Sequence, residues 1–323
     1  MRIDPENFDS IATHNGVLIA CEGTFRWENG SVSYFDFSTK QVSNNLFFTV
    51  NSRPLGDVVQ SIAVNDKKAF IIVNNSNKIE VVDMPAFKSC GTITGINSPR
   101  YLIFVSETKA YVSSLYGNVI YIVNPATLKV TGTLNTGSST EQLLWVNDKI
   151  LAANWSHGNK IYVINPANDN IVSTINTGIE PNSMTLDKNN KLWVLCSGGY
   201  AHNENATLIR LNSNSFEKEK TYTFSSGSYP TKLCFNGARD TLFFLDKGIF
   251  NMSISSSVLP EKPFINQGNR NFYGLAYDAS APQILVTNVL DFQQPGYVHR
   301  FKSSGLPIDS FKVSIGPGEF CFY

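Results

Sequence analysis

The chain has 323 residues, with 26 basic and 26 acidic side chains that give a formal net charge of zero. Charged residues make up only 16% of the sequence, so a basic surface that binds nucleic acid is not expected. The sequence contains no run of 18 apolar residues, so no transmembrane helix is expected. An aromatic content of 12% favours an all-β protein, because aromatic residues are enriched in strands.

Three apolar segments near the N-terminus are predicted to be strands. They are NGVLIACEG from Asn15, NGSVSYFDF from Asn29 and VSNNLFFTV from Val42. Each is short and flanked by Gly or Asn, which is typical of strands separated by tight turns. The three lack a fourth neighbour of their own, so we expect them to pair with a strand from elsewhere in the chain.

The next part of the chain contains an internal repeat. IYIVNPATLKVTGTLNTG, which starts at Ile120, returns without a gap as IYVINPANDNIVSTINTG from Ile161, an offset of 41 residues (161 − 120). The same offset backward leads to Ile79, where IEVVDMPAFKSCGTITG keeps the apolar pattern. A repeat of roughly 40 to 45 residues built from short strands is the signature of a β-propeller blade. The repeated residues are therefore assigned to the scaffold.

Each repeat is predicted to open with a turn, followed by the innermost strand of a blade. Such openings begin at Pro54, Ser98, Ser139, Glu180, Tyr229 and Asn271. The C-terminal GPGEFCFY, from Gly316, is a seventh opening that is too short to continue into a blade. We expect this last strand to close a blade with the three N-terminal strands, which removes the open edges of the ring. The prediction is an all-β, seven-bladed β-propeller that forms one domain over residues 1–323.

The cysteines and histidines form no recognisable motif. The five cysteines contain no CxxC pair, so zinc-finger and thioredoxin-like sites are not expected. No GxSxG motif is present. Cys21 and Cys321 fall on strands predicted to be neighbours, which leaves both a disulfide and simple packing open. The four histidines are each isolated in the sequence: His14, His157, His202 and His299.

Acidic and amide side chains near the predicted channel leave a metal site as an alternative. Calcium-dependent lactonase propellers place such groups around the channel. The residues available for these positions are Glu22, Asn154, Asn182, Asp246 and Asn288. Asn is abundant throughout the chain, so amides near a channel are expected by chance. No DxDxDG loop is present, and no metal or cofactor is predicted.

A more specific pattern lies where the openings meet the loops that follow each second strand. Equivalent places in the openings carry Gln60, Arg100, Gln142, Asn182, Lys232, Tyr273 and Glu319. The loops contribute Glu22, Trp27, Asn75, Tyr116, Trp155, Tyr200 and Asn288. Aromatic rings and a guanidinium among amides are typical of binding surfaces. The predicted ligand site comprises Glu22, Trp27, Gln60, Arg100, Tyr116, Gln142, Trp155, Tyr200, Lys232, Tyr273 and Asn288. In the structural alternative, Gln60 and Arg100 tie neighbouring blades together and the loop aromatics cover apolar rims.

Several segments resemble one family over essentially the whole chain. These are EGTFRWENGSVSYFDF at 22–37, RPLGDVVQSIAVNDKKAFIIVNNSNKIEVVD at 53–83, SPRYLIF at 98–104 and the two gap-free copies. They are similar to the YncE-like (YVTN-repeat) seven-bladed propellers, and more closely to the BtuG-type surface lipoprotein propellers of Gram-negative gut bacteria. The resemblance implies an exported protein that captures a ligand and hands it to an outer-membrane transporter of the TonB-dependent class. For the BtuG-type subgroup it implies a corrinoid ligand, as in cobalamin uptake.

Three functions follow as hypotheses. The first is a non-enzymatic binding propeller at the cell surface or in the periplasm, which captures a small molecule or docks a transporter. The N-terminal MRIDPENFDS has no apolar signal core, so its leader or lipid anchor is expected to lie outside this sequence. The second is a metal-dependent hydrolase or lyase of the lactonase-propeller type, and the third is a protein-interaction scaffold. Binding is favoured over catalysis because the aromatic residues fall on one predicted face.

Overall fold

The computed structural model of the chain describes residues 16–201 and 204–323, so His14 and His202 lie outside the described residues. Within these ranges the strands form seven four-stranded antiparallel sheets, and the seven-bladed prediction is confirmed. The same ranges contain no helix that is long and apolar enough to cross a membrane.

The strands are numbered in chain order. Those of the first half are β1 (Gly16–Cys21), β2 (Ser31–Asp36), β3 (Val42–Ser43), β4 (Val59–Asn65), β5 (Lys68–Val73), β6 (Lys78–Asp83), β7 (Lys88–Ile93), β8 (Pro99–Ser106), β9 (Lys109–Ser114), β10 (Val119–Asn124), β11 (Lys129–Asn135), β12 (Leu143–Val146), β13 (Lys149–Asn154), β14 (Lys160–Asn165) and β15 (Asn170–Asn176). Those of the second half are β16 (Pro181–Leu186), β17 (Lys191–Cys196), β18 (Thr207–Asn212), β19 (Lys218–Thr223), β20 (Thr231–Phe235), β21 (Thr241–Leu245), β22 (Gly248–Ser253), β23 (Ile265–Asn266), β24 (Phe272–Asp278), β25 (Gln283–Asn288), β26 (Pro295–Lys302), β27 (Pro307–Ile315) and β28 (Pro317–Phe322).

Blade 1 joins the two ends of the chain. From the centre outward it consists of β28, β1, β2 and β3, so the predicted closure by the C-terminal strand is confirmed. In the register of this pairing, Leu18 lies opposite Cys321. Gly16 and Tyr323 exchange two backbone hydrogen bonds of 2.9 and 3.0 Å. Blades 2 to 7 follow in chain order, from β4–β7 to β24–β27.

The position of a strand within its blade sets its pattern of burial. The second strand β25 is buried throughout, because it packs against a neighbouring blade on each face. The outermost strand β15 is largely exposed, and its Ile175 is buried. The gap-free copies form the third and fourth strands of blades 3 and 4, and they share a bulge at the same place in the pairing. Their assignment to the scaffold is therefore confirmed.

The described residues form apolar clusters between neighbouring blades around the ring. At the closing interface, Ile19 of blade 1 packs with Leu285 of blade 7. Phe35 and Phe311 stack there with ring centroids 4.0 Å apart. Burial of one such side chain stabilises by about 1.5–3 kcal/mol, so side chains as well as backbone bonds hold the ring closed.

One predicted strand is wrong in most of its length. VSNNLFFTV is predicted as a strand, but only Val42–Ser43 pairs with β2. Asn45 then adopts the left-handed backbone conformation (φ 53°), and helix α1 follows over Leu46–Asn51. The helix turns Phe47 into the cluster between blades 1 and 2. Burial of this ring overrides the strand propensity of the aromatic and β-branched residues in the run.

Replacing Phe47 with alanine is expected to lower the free energy of unfolding by about 3–5 kcal/mol, because this 1% exposed ring would leave a cavity between two blades. Phe48, the next residue of α1, is 58% exposed and provides the matched control. Phe48→Ala should change stability by less than about 0.5 kcal/mol. Urea denaturation of both variants measures the difference, and equal losses would show that α1 does not anchor the two blades.

All five cysteines lie in the described ranges and are free thiols. Cys21 and Cys321 occupy neighbouring strands but are offset, since Cys21 lies opposite Pro317 and Cys321 opposite Leu18. Burial raises the pKa of each of these two thiols to about 12. They therefore stay protonated and pack as small apolar groups, the second of the two arrangements that the sequence leaves open.

Candidate ligand site at the channel mouth

The innermost strands surround a central channel. Because neighbouring strands in a blade are antiparallel, the loops after each second strand open at the same end as the starts of the innermost strands. Backbone hydrogen bonds join the two sets: Glu22 N donates to Gly316 O at 2.8 Å, and Asn74 N donates to Val58 O at 2.8 Å. We call this end of the ring the channel mouth. All the predicted ligand-site residues lie on elements at this end.

Arg100, near the start of β8, forms the first ion pair of the channel mouth. Its Nε and Nη2 each donate to one carboxylate oxygen of Glu141 at 2.8 Å, and its Nη1 donates to Oε1 of Gln60. Trp155 lies against the guanidinium, with its ring centroid 5.5 Å from Cζ. Burial acts to lower the pKa of Arg100, but the facing Glu141 carboxylate, together with the phenol groups of Tyr101 and Tyr273, outweighs burial and raises it. Arg100 therefore remains charged.

A second ion pair spans the channel. Lys232 Nζ in blade 6 donates to Glu319 Oε2 in blade 1 at 2.6 Å, and Tyr101 OH in blade 3 donates to the same oxygen at 3.3 Å. Burial raises the pKa of Tyr101, which keeps the phenol a proton donor. Burial acts to lower the pKa of Lys232, but Glu319 together with the phenol groups of Tyr101 and Tyr273 outweighs it and holds that pKa well above its usual value. These contacts join three blades that are not neighbours.

Glu22 and Tyr273 form the third pair. Tyr273 OH donates to Glu22 Oε1 at 2.9 Å. Gly318 leaves room beside them, because a Cβ there would lie 3.2 Å from both Glu22 Oε1 and Cε1 of Tyr273. Burial raises the pKa of Glu22, and the charge of Glu22 in turn raises the pKa of Tyr273. The protonation state of Glu22 therefore also affects the pKa of Tyr273.

The stability of the protein is expected to fall as the pH rises through the folded-state pKa of Glu22. A carboxyl whose pKa is higher in the folded state binds its proton more tightly there, so its contribution is full below the unfolded pKa of about 4.3 and is lost as pH rises. Glu22→Gln mimics the protonated group and should remove this component. Thermal unfolding of both proteins from about pH 4 to pH 8 measures it, and identical pH slopes would contradict the assignment.

Three predicted site residues have side-chain oxygens engaged in scaffold bonds. Gln142 Oε1 accepts a hydrogen bond from the backbone N–H of Met184, which links blades 4 and 5. Asn288 Oδ1 accepts from Asn271 N at 2.9 Å and holds the opening of blade 7. Gln60 likewise joins blade 2 to blade 3 through its bond with Arg100. These amides position the channel mouth, as the structural alternative expects.

Exposed aromatic side chains occupy the loops of the channel mouth. Trp27 is 73% exposed, Tyr116 68% and Tyr200 85%, whereas Trp155 is half-buried against Arg100. Phe25, which the sequence patterns do not single out, is 60% exposed on the same loop as Trp27. Large exposed rings on one end of a protein are characteristic of interaction surfaces. Glu141 and Tyr101 are the other site residues that the patterns miss.

The residues of the alternative metal site are engaged with the blade openings. Asn154 Nδ2 donates to Ser139 O at 2.8 Å, and Asn182 Nδ2 donates to Pro230 O at 2.9 Å. Asp246 Oδ1 accepts from the backbone N–H at the start of the blade 6 opening at 3.3 Å. In residues 16–201 and 204–323, no group of three or more His, Cys, Asp and Glu side chains is arranged to hold a metal ion.

The protein is a seven-bladed β-propeller. Ion pairs cross its channel mouth, and exposed aromatic rings lie at the same end. The chain belongs to the family described as a domain of unknown function (DUF5074), whose model matches residues 15–314. No curated protein matches the sequence.

Solved structures with a similar fold come from several bacteria. A quinonprotein alcohol dehydrogenase-like protein from Bacteroides thetaiotaomicron has a TM-score of 0.74 at 13% identity, covering 96% of this chain and 78% of that one. The periplasmic gluconolactonase of Pseudomonas aeruginosa has a TM-score of 0.70 at 12% identity, covering 95% of this chain and 98% of that one. Hydrazine synthase of Kuenenia stuttgartiensis has a TM-score of 0.65 at 12% identity, covering 78% and 85% respectively. At these identities the likeness shows the fold alone.

Proposed function

We propose that this protein is a non-enzymatic binding propeller that captures a small ligand at the channel mouth. The observation that carries the proposal is the cluster of two ion pairs, the Glu22–Tyr273 pair and Trp155, at the end where the exposed rings also lie. A few convergent polar groups beside aromatic side chains are typical of ligand sites. Because the cluster links non-neighbouring blades, it is held in place before a ligand arrives, which reduces the entropic cost of binding.

We further propose that the protein acts at the cell surface or in the periplasm and passes its ligand to an outer-membrane transporter of the TonB-dependent class. The support is the resemblance of the segments at 22–37 and 53–83 to the BtuG-type propellers. A corrinoid is the candidate ligand under this resemblance. Calorimetric titration with cyanocobalamin tests it, and the absence of heat at micromolar protein would rule out the corrinoid.

Trp155→Ala is expected to weaken ligand binding by at least about tenfold, because aromatic side chains inside polar sites are common binding hot spots. Tyr200→Ala should weaken it less, since this 85% exposed ring makes a rim contact. Leu306→Ala is the matched control: Leu306 is 61% exposed, on the β26–β27 turn at the opposite end of the ring. Titration of the three variants measures the affinities, and an unchanged affinity in Trp155→Ala would place the site elsewhere.

A metal-dependent hydrolase or lyase of the lactonase-propeller type is the second candidate. The partly buried Glu22, whose pKa burial raises and whose carboxylate accepts a hydrogen bond from Tyr273, favours it, and the gluconolactonase shows that a protein of this fold can carry such an activity. Hydrolysis of gluconolactone, assayed with and without a chelator, tests this candidate. Turnover that the chelator abolishes would support the hydrolase. A protein-interaction scaffold is the third candidate. If it is correct, Trp27→Ala should weaken binding of a protein partner and leave the binding of small ligands unchanged.

A further inference from the structure

The ion pairs at the channel mouth leave one carboxylate without a cation. Arg100 binds Glu141 through two parallel hydrogen bonds, and Lys232 binds Glu319. Among the described residues, Glu22 forms no ion pair, and its hydrogen-bond partner is the neutral phenol of Tyr273. Three carboxylates therefore face two cations. Arg100 and Lys232 favour the charged form of Glu22 through space, but burial outweighs them. A partly buried cluster that is one positive charge short therefore favours the arrival of a cation.

The same groups have hydrogen-bonding capacity left for a ligand. Within residues 16–201 and 204–323, Glu22 Oε2 and Glu319 Oε1 accept no hydrogen bond, and Lys232 Nζ uses one of its three donors. Neither oxygen is among the fully buried, unpartnered atoms, so both are accessible to solvent. The absence of a side chain at Gly318 keeps the space beside Glu22 clear. A positively charged donor can therefore reach Glu22.

We propose, on the basis of the proposed function, that the ligand is bound through a protonated primary amine that pairs with Glu22 at the channel mouth. A neutral hydroxyl could donate one hydrogen bond to Glu22, but it would leave the third carboxylate charge uncompensated. An ammonium supplies both the charge and several donors. The remaining donors of Lys232 and the open oxygen of Glu319 then bind polar groups next to the amine.

The amine and a proton compete for the same carboxyl group. The charged and titratable groups around Glu22 come from several elements: Tyr273 of β24, Arg100 of β8, Lys232 of β20, Glu141 before β12 and Cys21 of β1. Glu319 of β28 is the ion-pair partner of Lys232. Burial raises the pKa of Glu22, so without ligand the proton is held to a higher pH than usual. Amine affinity should therefore increase as the pH rises through this pKa, and binding should release a proton.

Carbon-13 NMR of the Glu22 carboxyl group tests the proposal directly. The probes are amines with neutral isosteres: glucosamine with glucose, phenethylamine with 2-phenylethanol, and ethanolamine with ethylene glycol. A bound amine is expected to lower the apparent pKa of Glu22 by about one when its concentration is roughly ten times its Kd. The neutral partner at the same concentration and ionic strength should leave that pKa in place. Glu22→Gln should weaken amine binding by about tenfold or more.

The possible results separate this inference from ligand capture in general. If no amine moves the titration of Glu22, the amine inference is wrong. If a neutral isostere binds as tightly as its amine and Trp155→Ala weakens both, the amine inference is wrong and capture at the channel mouth stands. If an amine lowers the pKa of Glu22 but Trp155→Ala leaves its affinity unchanged, Glu22 binds amines and the proposed role of the aromatic wall is wrong.

Discussion

Replacing Arg100 with methionine is expected to lower the free energy of unfolding by about 3–5 kcal/mol, because it leaves a buried carboxylate without its cation. Glu141 is only 6% exposed, and both its oxygens accept hydrogen bonds from Arg100. The change also removes the donor to Gln60 and the contact with Trp155. Methionine keeps the side chain long and flexible. The decrease in the free energy of unfolding should therefore come mainly from the lost charge and less from lost side-chain volume.

A double-mutant cycle makes this expectation specific. In Arg100→Met combined with Glu141→Met, most of the loss should disappear, because no buried charge remains unpaired. Lys188 and Asp240 form an exposed ion pair, with side chains 51% and 35% exposed, so Lys188→Met should cost less than about 1 kcal/mol. Guanidinium denaturation measures all the variants. A loss in Arg100→Met no larger than in Lys188→Met would show that the pair at the channel mouth is effectively solvated.

Removal of residues 316–323 is expected to abolish cooperative folding. These residues form β28, the innermost strand of blade 1, and their loss leaves the inner edge of β1 unpaired. The cluster between blades 7 and 1 also loses Phe320 and Phe322, which pack against it. Full burial of one such ring is worth about 1.5–3 kcal/mol, so these two partly buried rings contribute less than that each. Together with the lost backbone pairing of β1, the loss approaches the lower end of the roughly 5–15 kcal/mol that typically stabilises a domain.

Complementation in trans distinguishes loss of closure from a general defect. A synthetic peptide of residues 316–323, added to the shortened chain, should restore the thermal transition seen by circular dichroism. The same peptide with Phe320 and Phe322 replaced by serine keeps the backbone donors but loses the apolar contacts, so it should restore much less. A shortened chain that still unfolds in one cooperative transition at an unchanged temperature would refute the importance of closure.

The blade count could be predicted because it depends on local pattern. The copies at Ile120 and Ile161 repeat the spacing of two strands and a turn, and each structural unit needs only its neighbours to bury its faces. The strand predicted from Val42 fails for a different reason. Its sequence is compatible with a strand, and only the cavity between blades 1 and 2, which Phe47 fills, makes the helix the better solution.

The candidate site could be predicted in location but not in its contacts. Arg100, Lys232 and Tyr273 occupy equivalent places in three openings, so register alone brings them to one end of the ring. The pattern does not predict a role for Tyr101, because its hydroxyl contacts Glu319 across the channel, 218 positions away in the sequence. The same pattern does not predict a role for Glu141. This residue precedes β12 in a polar turn, where nothing in the local sequence distinguishes it from a solvated residue.

Periodicity and turn residues suffice to specify seven antiparallel units and the joining of the two ends, since strand formation and blade stacking depend on short-range apolar pattern. Which charges pair, and which carboxyl group is left without a cation, depends on the closed ring. Closure brings side chains from blades 1, 3 and 6 into one partly buried space. The charge states of these side chains depend on their distances from one another in space and on their burial. Separation along the sequence predicts neither of these quantities. Glu22 thus follows an ordinary strand in the sequence, and the folded ring makes it the unpaired acid at the channel mouth.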